Sequence, residues 1–264
     1  MMAGLALLLA GCEKEIEVDY RSIASMYVAE GSVTQEGTSV LLSTTMDVKD
    51  NTRQDHVVEG ATVVVSVPEL GLSETLNYRG KGRYDSSLRG IAGNVYQLDI
   101  DIDGHHFTST STMQQVPVVN NFRFVWKKVM TQTMLFGELL VQDFPNENNY
   151  YFMHIYRNDI GYRWAVMRDD THPGGELQQL FNCAIKKDVE EVGNNEITDG
   201  DKIRIEVRAI DRAAYDYLYS MQVMDNTGTN PIQNFTGGCL GYFSAYGVKN
   251  LYSIFRIDEV EEEE

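Results

Sequence analysis

The sequence predicts a mostly β protein: an N-terminal immunoglobulin-like β-sandwich, then a C-terminal β-rich sandwich or barrel-like domain with one α-helix. Three observations predict it. Residues 21–115 fall into short β-branched runs split by turn residues, about seven strands at sandwich spacing. From Tyr96 to Asp103 polar and apolar residues alternate strictly, with the period of a half-buried strand. One segment alone, "DRAAYDYLYSMQVM", carries a helical stripe.

In chain order, "SMYVAEGSV" and "TSVLLSTTM" read as strands separated by the turn "TQEG". "GATVVVSVPE" is a β-branched run that ends on Pro68, where a missing N–H costs little. In the next strand Val95, Gln97, Asp99, Asp101 and Asp103 alternate with Tyr96, Leu98, Ile100 and Ile102. The acids belong to water and the apolar set to a core. Asp103-Gly104 supplies the positive φ angles of a type I′ turn, so a hairpin closes there.

"VPVVNNF", residues 116–122, reads as a linker, and residues 116–257 as the second domain. Its strands lie in "FRFVWKKV", "LFGELLVQD", "NYYFMHIYRN", "YRWAVMRDD" and "KIRIEVRAI". The helix is expected near 211–224, with Asp211 as its cap and Ala214, Leu218 and Met221 on its buried stripe. "GGCLGYFSAYG", Gly237 to Gly247, reads as a turn and a packed strand rather than a ligand loop. The acidic run 258–264 reads as a solvated tail.

The chain has 264 residues, which suggests two domains of ordinary size. Its formal net charge is −17, from 39 acids against 22 bases. That balance speaks against nucleic acid, whose phosphates need clustered Lys and Arg, and against adsorption to an anionic bilayer.

The first twenty residues carry an address. "GLALLLAG" is too short to span a bilayer, which takes about 20 apolar residues, but fits the apolar region of a secretory signal. Leu9-Ala10-Gly11-Cys12 resembles the bacterial lipobox, in which the signal is cut before a cysteine that receives a diacylglycerol. That resemblance makes 1–11 a lipoprotein signal peptide, Cys12 the lipidated residue and 12–20 a tether. No Lys or Arg precedes the apolar run, a departure from such signals. The remaining thiols, Cys183 and Cys239, have two readings: one disulfide, or two separate buried thiols.

Catalytic and metal motifs are missing. "DIDIDG", Asp99–Gly104, opens like a calcium loop but has Thr110 where the bidentate Glu belongs, which favours the hairpin. Neighbouring His105 and His106 would point to opposite faces of a strand and not share an ion. No catalytic residue, metal ligand or cofactor is assigned. The candidate recognition residues are the aromatics Tyr150, Tyr151, Tyr156, Tyr162 and Trp164, which either face outward for a glycan or protein or fill a sandwich core.

Several stretches, taken in order, resemble the Bacteroidota lipoproteins built on the domain of unknown function 4249. They are "CEKEIEVD", "YVAEGSVT", "GATVVVSVPE", "GRYDSSLRGIAGNVYQLDIDIDGHHFTSTSTMQQVPVV", "AIDRAAYDYLYSM" and "GGCLGYFSAYGV". The resemblance implies an outer-membrane lipoprotein held by its N-terminal lipid, with acids after Cys12 that favour display on the cell surface over a periplasmic face. It also implies a non-catalytic binding or accessory component associated with a TonB-dependent nutrient-uptake transporter. Two alternatives stand beside it: a surface adhesin or glycan-binding module, and an enzyme of unrecognised class.

Overall fold

The computed structural model describes residues 25–46, 56–145, 148–169, 174–187, 196–227 and 231–263. The signal 1–11, Cys12 and the tether to residue 20 lie outside the described residues. Among the described residues the protein is mostly β, with one α-helix and four sheets paired into two sandwiches.

The first sandwich contains β1 (Tyr27–Val33), β2 (Thr38–Thr44), β3 (Thr62–Val67), β4 (Leu72–Thr75), β5 (Asn77–Gly80), β6 (Arg83–Ser86), β7 (Val95–Ile102) and β8 (His105–Thr112). One sheet has the order β4-β3-β7-β8. The β7–β8 hairpin follows the alternation of its sequence. Tyr96, Leu98, Ile100 and Ile102 are buried, and Asp103 (φ 50°) with Gly104 (φ 78°) makes the tight turn. His105 packs on Tyr27 and Phe107, while His106 turns the other way to bond Asp101 at 2.9 Å.

The facing sheet has the order β15-β1-β2-β6-β5, and its edge strand comes from the far end of the chain. Strand β15 (Leu240–Ala245) runs parallel to β1, with Val28 opposite Leu240 and Val33 opposite Ala245. Phe235, Cys239, Phe243 and Ala245 therefore complete the first core. The first unit is thus not the contiguous block 21–115. Gly241 permits this docking: at φ +97° a Cβ there would lie 1.9 Å from the Ala29 carbonyl oxygen.

The second sandwich pairs the order β13-β10-β9-β17 with β12-β11-β14-β16. Its strands are β9 (Val118–Val129), β10 (Gln132–Gln142), β11 (Tyr150–Arg157), β12 (Ile160–Arg168), β13 (Glu176–Lys186), β14 (Lys202–Ile210), β16 (Gly247–Ile254) and β17 (Glu261–Glu263). Asn120 and Asn121 lie inside β9, so the linker is shorter than 116–122. Leu135, Leu139, Tyr151, Met153, Ile155, Ile205 and Val207 fill the core between the sheets. The acidic run is not wholly a free tail, because Glu261–Glu263 pairs in parallel with Val125–Lys127 of β9.

Helix α1 (Arg212–Thr227) lies against the outer face of the β12-β11-β14-β16 sheet, packing Ala214, Tyr215, Tyr217 and Leu218 onto Phe152, Ile210 and Tyr246. Asp211 caps it through Ala214 N–H at 2.9 Å. The other Asp211 oxygen accepts from Ser111 Oγ and from Thr112 N–H (3.1 Å), both at the end of β8. Ser111 Oγ in turn accepts from Ala245 N–H at 2.8 Å. This buried cluster, with the passage β15–Tyr246–β16 and Tyr246 N–H bonded to Val33 O (3.0 Å), joins the sandwiches.

Candidate recognition face

Register defines the face. On β11 the residues Tyr150, Phe152, His154 and Tyr156 stand opposite Ile210, Arg208, Glu206 and Arg204 of β14. Arg204 in turn stands opposite Tyr252 of β16, and His154 opposite Trp164 of β12. Alternate residues share a face, so these form one surface, turned away from the core that holds Tyr151, Met153 and Ile155. Helix α1 covers its Tyr150–Phe152 end and leaves the other end open.

A row of charge runs down the middle. Arg204 Nη1 bonds Glu206 Oε2 at 2.7 Å, and Arg208 Nε bonds Glu206 Oε1 at 2.6 Å. Burial pushes the Glu206 carboxyl upward, but Arg208 and Arg204 outweigh it and hold the pKa below the usual value. The Arg204 guanidinium lies 3.7 Å from the Tyr156 ring centroid, and the His154 ring lies 4.0 Å from it. Burial first, then Arg208 and Arg204, pushes His154 down to about 4, so near neutral pH it packs as an uncharged ring.

Trp164, midway along the face opposite His154, is 38% exposed, while at the open end Tyr252 is 76% exposed and Ile254 51%. A groove of about 340 Å³ runs here between Asp159, Lys202, Arg204, Tyr252 and Ile254. Asn158 N–H bonds Lys202 O (2.8 Å) at this end, while Ile210, at the other end of β14, leads into Asp211 and the joint. The groove therefore lies at the end of the second sandwich opposite the first.

The five aromatics singled out in the sequence divide among different environments. Tyr151 is fully buried, its hydroxyl donating to Asp143 Oδ1 at 2.9 Å. Tyr162 donates to Cys183 O at 3.0 Å and carries Arg163 over its ring. Tyr150 packs on Tyr215, and Tyr156 is held between Arg204 and His154. Trp164 alone of the five is exposed enough to offer a ring. Sequence reading missed Arg204, Glu206, Arg208 and Tyr252. The signal was present in "KIRIEVRAI", where charged residues alternate with apolar ones.

The candidate disulfide does not form. Cys183 lies in the second core and Cys239 in the first, and both are free. Burial pushes the thiols up, to about 11 for Cys183 and about 12 for Cys239, and so away from the reactive thiolate. Among the described residues no group of three or more His, Cys, Asp or Glu is placed to hold a metal ion.

The architecture defines a class: a two-sandwich β protein, joined by a shared strand passage, with one sheet face half covered by a helix. More specifically, the chain belongs to the family described as Domain of unknown function (DUF4249), whose model matches residues 13–251. The match takes in both sandwiches and α1, and stops before β17. No curated protein matches the chain.

Proposed function

We propose that this protein is a non-catalytic binding component, anchored in the outer membrane through lipid on Cys12, that serves a TonB-dependent nutrient-uptake transporter. The observation that carries the reading is the open end of the recognition face, where Tyr252 and Ile254 flank Arg204, with Trp164 exposed farther along the same face. Aromatic and arginine side chains on a rigid sheet are the usual anchors of a protein interface. Strand β1 begins at Tyr27, at the end of the first sandwich away from the joint, so the open face and the start of β1 sit at opposite ends of the body. The acidic run after Cys12 supports a cell-surface position.

The test is affinity capture of the tagged chain from gently solubilised outer membranes. A β-barrel transporter should co-purify near equal stoichiometry, and its absence would sink the proposal. Cys12→Ser should release the chain from membranes if the anchor is lipid. A second reading, glycan binding, draws on the groove beside Tyr252, where Asp159, Lys202 and Arg204 offer hydrogen-bonding groups. A glycan array with native and Tyr252→Ala chains separates the two readings.

A further inference from the structure

Strand β17 is an acidic segment seated on a basic edge. Arg123 bonds Glu261 (2.6 Å) and also Glu263, Lys127 meets Glu263, and Lys187 meets Glu262. Each glutamate of the strand thus has a cation, in a chain of net charge −17. The edge is also pre-organised from behind. Glu138, only 2% exposed, accepts from Arg123 Nε at 2.6 Å and Gln178 Nε2 at 2.5 Å, and lies 3.4 Å from Lys127 Nζ. With Nε held by Glu138, the two terminal nitrogens of Arg123 are left for the incoming strand.

The seat is larger than its occupant. Strand β9 runs from Val118 to Val129, and β17 covers only Val125–Lys127. Beside the covered part lies a hollow of about 170 Å³ lined by Phe122, Arg123, Phe124, Glu259, Val260 and Glu261. The occupant is lightly held: Glu261 is 68% exposed and Glu262 67%, and exposed ion pairs each contribute under about 1 kcal/mol.

We propose that the β9 edge is a strand-addition site for an extended acidic peptide segment, which β17 occupies in cis and a segment of another protein can replace. The recognised chemistry is glutamate at alternate positions, to reach Arg123 and Lys127, on a backbone free to pair with β9. The site is on the opposite sheet from the recognition face and does not rest on the proposed function. Tethering gives β17 a high effective concentration, so its presence masks the edge from weak competitors.

The probe is a fluorescein-labelled peptide of sequence IDEVEEEE, read by fluorescence anisotropy against the full chain. The native chain and the E261Q/E262Q/E263Q variant are compared, with circular dichroism to confirm the fold. Removing Arg123 would strip buried Glu138 of its closest cation, so charge is tested on the peptide instead. The variant should bind at least about tenfold tighter than the native chain, because its own strand competes less. A peptide with glutamine for glutamate, and one with proline at the third glutamate, should each lose that binding. Equal binding by the two chains, or undiminished binding of the proline peptide, would overturn the proposal. Should the triple variant unfold, the native chain answers by hydrogen exchange. Saturating peptide should speed exchange of amides 261–263, and unchanged exchange would overturn the proposal.

Discussion

The two sandwiches are built alike and differ in what they bury. Among the described residues of the first, the buried polar side chains are hydroxyls, Thr38, Ser109, Ser111 and Ser244. In the second, Glu138, Asp143, Asp169 and Asp201 are all buried, and Glu206 nearly so. A hydroxyl needs one or two hydrogen bonds, but a buried carboxylate needs cations and costs several kcal/mol without them. The first sandwich is therefore held mainly by its apolar core, whereas the second also depends on ion pairs at its faces. Both candidate binding surfaces, the aromatic face and the β9 edge, lie where those ions are spent on fixing arginines in place.

Acid should break this comparison open, with the largest effect. Burial raises the pKa of Glu138, but Arg123, Gln178 and Lys127 more than reverse it. For Asp201 burial is outweighed by Thr198, Asn158 and Arg157, and for Glu206 by Arg208 and Arg204. A lowered folded-state pKa gives stability that is complete above the ordinary carboxylate value, about 4, and is lost as pH falls through the lowered one. Asp211 at the joint works in reverse. Burial there outweighs the bonds from Ser111, Ala214 and Thr112 and raises its pKa, so protonation relieves a cost as pH falls. The chain has two tryptophans, Trp126 and Trp164, both in the second sandwich. Their fluorescence should report a transition below about pH 4, while amide protection in β7 and β8 survives to lower pH. Simultaneous loss of both signals would show one cooperative unit and end the distinction.

Arg208→Ala comes next. It leaves Glu206 without its better partner and opens the contact to Phe152 and Tyr246, at a cost of about 3–5 kcal/mol in urea unfolding. The matching change in the first sandwich, Asp101→Ala beside His106, removes an exposed pair and should cost less than about 1 kcal/mol. Replacing Glu206 and Arg208 together by leucine and methionine should restore only part of the loss, because Arg204 then loses its carboxylate partner.

What could be read in the sequence was local. The β7–β8 hairpin follows from strict alternation and Asp103-Gly104, and the helix from Asp211 and its Ala214–Leu218 stripe. Pairings between distant segments could not be read. Strand β15 returns to β1 across most of the chain, and the parallel ladder leaves no turn residue to announce it. The acidic run read as solvated because Arg123, Lys127 and Lys187 are remote in sequence. The aromatic cluster stayed open between two readings for a different reason. Period 2 shows that Tyr150 and Phe152 share a face and Tyr151 does not, but both faces of this sheet pack apolar groups. Which ring stays open depends on where α1 ends its cover, a fact of tertiary packing.

Asp211→Ala tests the joint itself. It removes a helix cap and the acceptor for Ser111 and Thr112, and should cost about 2 kcal/mol. If the sandwiches behave as separate stability units, the loss should appear in the protection of α1 and β15 before that of β2 or β10. A uniform loss in all four elements would mean that the two cores unfold as one.

The smallest effect on stability should accompany the largest effect on binding. Tyr252 is 76% exposed, so Tyr252→Ala should shift unfolding by no more than about 0.5 kcal/mol. Trp164→Ala should cost somewhat more, since its ring leans on Phe152 at 5.9 Å. A central aromatic anchor of an interface, by contrast, contributes about 2 kcal/mol or more, roughly a thirtyfold change in affinity. The pair of variants should therefore fold normally and lose partner capture. The same substitution at Tyr78, an exposed aromatic of the first sandwich, should leave capture intact. If Tyr78→Ala weakens capture as much as Tyr252→Ala, the binding surface is not confined to the second sandwich. The contrast between a sandwich that supports and one that recognises would then fail at its functional end.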